Sequence, residues 1–462
     1  MKSASPEAVK LLHDGSLALA DVEAAGIRID VGYLNTVTEK VGQWIADLET
    51  ELKSGKVWRE WRKRFPSPSV GSRQQLGTVL FDCLKVPYPW KDEEGGRTAS
   101  GRYRADDETL TATGSKFAAN FLKLEKLRKL HSTYLVGLQR EVIDGFVHPS
   151  TSLNTVSTYR SSASSPNYQN QYNRDPENAA IIRKAFIPRK GCLLVEVDYS
   201  QLEWKIAACK WRDAGMIAYA SDPSKDVHRD MAVKLFRLKK EQVERKTTRD
   251  WSKNRFVFPV LYGSYWANCA NHIWEAVDKG GKLADGTTVK AWLKNKGIGT
   301  KPSYEHHVKR VEEVFMAQFP TFAERKERWW RDYARRGWFR MLTGFVCSGV
   351  FSRNFLMNAD IQGPGFHCLL WSLIRIHRTL KKKRLRSLII GEIHDCILFD
   401  VPEDELQDLL TLAKRVMTED LRRHWPWVCV PMDVEADVAI ENWHAKRPWI
   451  VRGGVWGLKE KS

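Results

Sequence analysis

Two apolar runs that each end at an aspartate constrain this chain more than any other feature. One is Cys192-Leu-Leu-Val-Glu-Val-Asp198-Tyr-Ser-Gln-Leu-Glu203, the other Leu388-Ile-Ile-Gly-Glu-Ile-His394-Asp395-Cys-Ile-Leu-Phe399. Short runs of Leu, Ile and Val read as buried strands. A carboxylate at a strand terminus is rigidly placed and open to solvent. Two of them on adjacent strands can hold a pair of Mg²⁺ ions about 3.5–4 Å apart for in-line phosphoryl transfer. Either aspartate alone also fits a turn or a cap, so the residues around them decide the reading.

The chain has 462 residues, room for several domains or one multi-lobed enzyme. Its hydrophobic fraction of 43% and aromatic fraction of 11% support a large core and argue against global disorder. A net charge of +18 points to a polyanionic partner. The charge gathers at Arg59–Arg64, Arg325–Arg336 and Lys381–Arg386, each of which also fits a solvated helix face. The eight cysteines are scattered with no C-x-x-C pair, which argues against a zinc ribbon or disulfide scaffold and suits a reducing compartment. No apolar stretch reaches membrane-spanning length, and the N-terminus lacks a hydrophobic signal core. The expected location is therefore the cytoplasm, a host's if the source is viral.

Helical periodicity fills residues 8–54, and Pro66, Pro68 and Gly71 break it before a further helix opens at Ser72. Pro87–Arg104 is polar and reads as a flexible tip, and a helical pattern resumes from Asp107 to about Ile143. Val147–Phe186 is polar and loop-rich. Residues 216–349 are mainly helical with Trp- and Arg-rich surfaces.

Several motifs, in order, resemble the family A DNA polymerases over nearly the whole chain. Asp198-Tyr199-Ser200-Gln201-Leu202-Glu203 matches their first palm motif, and His394-Asp395-Cys396 resembles their His-Asp-Glu hairpin with the third residue changed. Lys129-Leu130-His131-Ser132-Thr133-Tyr134 resembles a thumb–palm helix motif. Thr158-Tyr159-Arg160-Ser161-Ser162 with Pro166-Asn167-Tyr168-Gln169-Asn170 resembles a DNA-contacting segment, although Tyr159 stands where the family has Gly. Asp226-Val-His228 is similar to a structural Asp-x-His helix of the fingers. Arg249, Lys253, Phe258-Pro259 and Tyr262-Gly263 follow the fingers-helix pattern with one residue too many between Lys253 and Phe258. The surplus implies a π-bulge or a break before Pro259, because proline lacks an N–H and clashes with the preceding turn. Asn358-Ala-Asp-Ile-Gln362-Gly363 resembles a further DNA-contacting helix, with Asn and Gln four apart on one face.

The resemblance implies an α+β right hand with an antiparallel palm sheet, helical fingers and a helical thumb. It divides the chain into a remnant at 1–40, thumb at 41–130, palm at 131–215, fingers at 216–349 and palm again at 350–462. Asp198, Asp395 and Tyr199 would hold two Mg²⁺ ions, with Mn²⁺ a possible substitute, and Lys253 would offset charge on the leaving pyrophosphate. Arg249, Lys253, Phe258, Tyr262, Glu203, Gln201, Arg174 and His228 would line the nucleotide. Arg160, Asn167, Gln169, Asn358, Gln362, His394 and Lys129 would contact DNA. Minor-groove acceptors sit alike in every correct pair, so such contacts report pair geometry without reading sequence. Glu203 has two readings: the partner of Ser200 in a helix capping box, or a gate crowding a ribose 2′-OH, which the family spacing favours.

The implied activity is primer extension with deoxynucleotides by a phage-type member without exonuclease domains. Its partners are primer–template DNA and dNTPs, acting on a monomer, with a separate exonuclease, helicase or processivity factor as further candidates. Two rivals remain. A single-subunit RNA polymerase shares both aspartates but would not need Glu203. A non-catalytic DNA-binding relative would not need the aspartates together with Arg249 and Lys253.

Overall fold

The computed structural model describes residues 3–89, 97–98, 101–169 and 176–460. Its strands are β1 (Ile27–Arg28), β2 (Phe146–Val147), β3 (Ser150–Ser152), β4 (Ser162–Ser164), β5 (Cys192–Tyr199), β6 (Trp338–Arg340), β7 (Val346–Ser348), β8 (Leu388–Ile393), β9 (Cys396–Pro402), β10 (Val434–Ala439), β11 (Arg447–Arg452) and β12 (Val455–Leu458). Six of them form one antiparallel sheet in the order β12-β11-β10-β5-β9-β8. Both aspartate-terminated runs are thus strands, and they are neighbours: β5 pairs β9 with Asp198 opposite Cys396.

Strand alternation explains how the sheet carries a site. Leu193, Val195, Val197 and Tyr199 of β5 point into a large core shared with Ile397 and Phe399 of β9 and Val434, Ala436 and Val438 of β10. Leu194, with Leu398 and Ala439, faces the opposite way, into a second core with Phe186 and Trp443. Asp198 shares the parity of Leu194, so it lies on that second face, where the strand end leaves the core. Covering the first face is the helix Arg353–Lys383, whose residues from Leu356 to Leu380 include many buried apolar side chains.

The helical lobes flank this sheet. Helices Val31–Ser54, Lys56–Arg64 and Lys116–Lys129 pack around Trp61, Phe121 and Leu124, which continue the core on the sheet's second face. Helices Trp266–Asp278, Lys301–Gln318 and Pro320–Arg336 pack around Tyr304, Phe315 and Phe322.

The structure refines the expected organisation. The helical pattern at 8–54 is two helices, Pro6–Ala25 and Val31–Ser54, separated by Gly26 at φ 66° and by β1. A Cβ at Gly26 would lie 2.9 Å from the Val147 carbonyl, so glycine is required by both conformation and contact. The first helix is no remnant ahead of the thumb: Ala8, Leu11, Ala18, Leu19 and Val22 belong to the sheet's main core. A border at residue 40 would cut Val31–Ser54, and one at residue 130 would cut the unbroken helical run Lys116–Glu141, which widens to a π-turn at Leu130–Leu135. Finally, the segment expected to be loop-rich holds a helix at Pro176–Arg183.

Candidate active site

The site is built where β5, β9 and β10 end. Asp198 stands beside Cys396 on one side and Glu435 on the other. Asp395 sits in the β8–β9 turn, and its carbonyl accepts from the Tyr199 N–H at 3.1 Å. Both aspartates are pushed up from ordinary carboxylate values. Burial is the first cause for each, and for Asp198 the negative charges of Asp395, Glu435 and Glu196 add to it. Lys253 and Arg160 pull Asp395 the other way. Backbone strain gathers here too: Gln201 at φ 54° turns the chain from β5 into the helix Leu202–Trp211, and His394 at φ 60° turns β8 into β9. A non-glycine residue in that conformation costs roughly 1–2 kcal/mol.

The donor set fits a divalent cation. Two carboxylates converge, and Oδ1 of Asp198 is buried without a hydrogen-bond partner. Hard oxygens suit Mg²⁺. Among the described residues no cluster of three or more His, Cys, Asp or Glu side chains is arranged around a metal position. Cys396 is held as a thiol by burial. The expected metal role of Tyr199 cannot belong to its side chain, because the phenol turns into the core and meets the Ser372 hydroxyl at 2.8 Å. Only its backbone remains available.

The capping-box reading of Ser200 and Glu203 is not realised. The Ser200 hydroxyl donates to Glu435 at 3.2 Å, and the cap residue Gln201 makes no side-chain cap bond. Glu203 instead lies beside the Tyr262 hydroxyl, with Asp395, Arg160 and Lys253 close by, and burial raises its carboxyl.

The opposite wall is the segment carrying Arg249 to Tyr262. It runs as a π-turn Arg245–Arg249, an α-turn Asp250–Ser252, a second π-turn Lys253–Val257 and a last α-turn Phe258–Leu261. The surplus residue is thus absorbed in a π-turn directly before Phe258-Pro259, where the wider spacing relieves the proline's clash with the preceding turn. Val257 is fully buried, whereas Phe258 is half-buried: its ring lies 5.4 Å from Lys253 Nζ and stacks on Tyr262 at 5.9 Å. Arg249 is paired with Asp226 at 2.7 Å. Between these cations His228 is buried edge-on to Phe258, 5.2 Å away. Burial and then the charges of Lys253 and Arg249 press its imidazole down to about 3, so it stays neutral.

The third wall collects the expected DNA contacts. Arg160 donates to Gln362 at 2.8 Å, and one turn earlier on the same helix Asn358 has a buried amide oxygen without a partner. His394 is exposed at the turn, with Arg160 and Glu203 nearby. Gln169 donates at 2.7 Å to Glu392. Two residues fall outside this cluster. Asn167 is exposed beside Thr133 and Tyr134, and Lys129 is exposed on Lys116–Lys129. Arg174 lies outside the described residues.

Glu392 escaped sequence reading, although a charged residue inside the apolar run Leu388–Ile393 was the available signal. It is buried, its N–H donates to the Tyr168 hydroxyl at 2.9 Å, and its carboxylate accepts from Ser161 and Gln169. Burial pushes its carboxyl up to about 7. It ties the segment bearing Arg160 to the turn bearing Asp395. Glu392→Ala should remove the carboxylate that accepts from Ser161 and Gln169, leaving them chiefly their mutual bond at 3.0 Å, at a cost of about 1–3 kcal/mol. Extension from a mismatched primer end should then gain on extension from a matched one. An unchanged ratio in a paired-terminus extension assay would rule out this linkage.

Comparison with known proteins bears on the whole arrangement. A family model described as "DNA polymerase family A" matches residues 33–445. DNA polymerase I of Chloroflexus aurantiacus is 27% identical over 93% of this chain and 42% of its own length. The thermostable DNA polymerase I of Thermus aquaticus is 28% identical over 93% of this chain and 47% of its own. The chain thus spans less than half the length of these curated relatives. Among solved structures, the POL domain of Pol1 from M. smegmatis, in a complex with DNA primer-template and dNTP, superposes with a TM-score of 0.75 at 24% identity, over 94% of this chain and 70% of that one. That likeness establishes the α+β right-hand polymerase fold.

Proposed function

The chain belongs to DNA polymerase family A, and from that premise we propose that it adds deoxynucleotides to a primer 3′-OH under the direction of a template. The observation that carries the reading is the convergence of Asp198, Asp395, Lys253, Glu203 and Arg160 at one strand-end cleft. The family is generally divalent-metal dependent. Asp198 and Asp395 would hold two Mg²⁺ ions, or Mn²⁺ in their place, which when bound activate the 3′-hydroxyl and neutralise the phosphates.

The remaining roles belong to the chain itself. Lys253 faces Asp395 across the cleft and offsets charge on the departing pyrophosphate, with Arg249 and Arg174 assigned to the triphosphate. Phe258 and Tyr262 offer a stacked apolar wall to the incoming nucleotide, beside neutral His228 and the turn residue Gln201. Glu203 crowds the ribose 2′ position. Arg160, Gln362, Asn358 and His394 face the minor groove at the primer end, Gln169 steadies them, and Asn167 and Lys129 lie along the duplex.

Partners on this reading are primer–template DNA and dNTPs, met by a monomer, with an exonuclease, helicase or processivity factor supplied separately. No described helix is long and apolar enough to cross a membrane. All eight cysteines are free, which suits a cytoplasmic location. Glu203 at the cleft also favours deoxynucleotides over the ribonucleotides of an RNA polymerase. The test uses an end-labelled primer–template with Mg²⁺ and either dNTPs, NTPs or neither. Elongation with dNTPs alone, and no 3′ shortening without nucleotides, is expected. Elongation with NTPs alone would transfer the assignment to RNA synthesis, and steady 3′ shortening would refute the absence of proofreading.

A further inference from the structure

The helix Pro320–Arg336 presents Arg328, Arg331 and Arg335 at a spacing that puts them on one face. All three are exposed and line an open concavity of about 470 Å³ together with Glu324 and Asp332. Asp332 is already paired with Arg335 at 2.9 Å, and Glu327, on the neighbouring face, is paired with Arg353. Among the described residues Arg328 and Arg331 have no ion-pair partner. Their charge is therefore available to an anion from outside.

This stripe is continuous with the cleft. Arg353, at the start of the long helix, lies 5.9 Å from the Trp330 ring on the stripe's flank. A Cβ on Gly263 would stand 3.7 Å from the Arg353 side chain. Gly263 follows Tyr262, which closes the wall facing Glu203. A path of contacts thus leads from Tyr262 through Gly263, Arg353 and Trp330 to Arg331 and Arg328. From Arg328 to Arg335 the helix rises about 10 Å, long enough to meet more than one phosphate of a single strand.

We propose that this arginine stripe binds the single-stranded 5′ overhang of the template ahead of the active site. The proposal rests on the polymerase reading, because a template strand is the polyanion that must leave the Tyr262–Gly263 corner unpaired. Arginine forks suit phosphate, and Trp330 at the edge offers an aromatic surface to an unstacked base. Removing Arg328 and Arg331 removes charge without touching the cleft.

The experiment measures binding of the full chain to a fixed primer–template duplex with either a minimal or a long 5′ template overhang, across a salt series. Wild type should bind the long overhang more tightly and with a steeper salt dependence. Arg328→Gln/Arg331→Gln should bind the minimal overhang like wild type and lose the gain from the long one. The salt slope of log K on the long overhang should fall by about 1.4, at about 0.7 per single-strand phosphate contact. Arg328→Lys/Arg331→Lys should keep most of the gain. Equal loss on both substrates, full retention by the Gln variant, or no overhang effect in wild type would each overturn the stripe's role. Extension of the minimal-overhang primer is read in parallel. A wild type that extends it but ignores overhang length refutes the stripe alone, and one that extends nothing refutes the reading beneath it.

Discussion

Replacing Asp395 with alanine is expected to abolish primer extension, with a rate loss of at least ~10³, because the shared cation site loses one of its two carboxylates. Affinity for primer–template should stay close to wild type, since Arg160, Gln362 and Asn358 lie on another wall. Folding should not suffer. In the folded chain burial raises both carboxyls and the charge of Asp395 adds to the cost of ionising Asp198, so removing Asp395 relieves Asp198. A melting temperature at or above wild type in metal-free buffer, with activity gone, would separate a lost site from a lost fold. More than a tenth of wild-type activity would contradict the assignment of Asp395.

Glu203→Ala should raise ribonucleotide incorporation relative to deoxynucleotide by at least about tenfold, the scale on which a site rejects one extra group by shape. The carboxylate lies in the cleft beside Tyr262 and makes no helix cap, so the stability change should stay below the ~1 kcal/mol that losing an N-cap costs. Steady-state insertion of a dNTP against the matching NTP, with a melting curve on the same preparation, checks both halves. Unchanged sugar selectivity together with a large drop in melting temperature would return Glu203 to a structural role.

The sheet was legible because Asp198 and Asp395 end apolar runs, and strand alternation then dictates which face Asp198 takes, while Asp395 is placed by the turn that joins β8 to β9. The π-turn at Lys253–Val257 was legible for a similar reason: one surplus residue ahead of Pro259 has few ways to be absorbed. Glu392 was not. A charged residue in an apolar strand signals a buried network without naming its partners, and Ser161 and Gln169 lie more than 200 positions away in the chain. The first helix was misread for a different reason. Its apolar residues Leu11, Ala18, Leu19 and Val22 show amphipathic periodicity, but periodicity does not say which core receives the face. The choice between cap and gate at Glu203 depended on where Ser200 would send its hydroxyl, and that was decided by Glu435 on β10, a strand far along the chain.

The central claim is that the cleft at Asp198 and Asp395 copies a template, and single-nucleotide insertion tests it most directly. Four primer–templates differing only in the templating base are each offered the four dNTPs one at a time with Mg²⁺. Insertion of the complementary nucleotide on each template is expected, with the same four reactions lost in Asp395→Ala. Addition of one nucleotide regardless of template, or insertion that persists in Asp395→Ala, would contradict it.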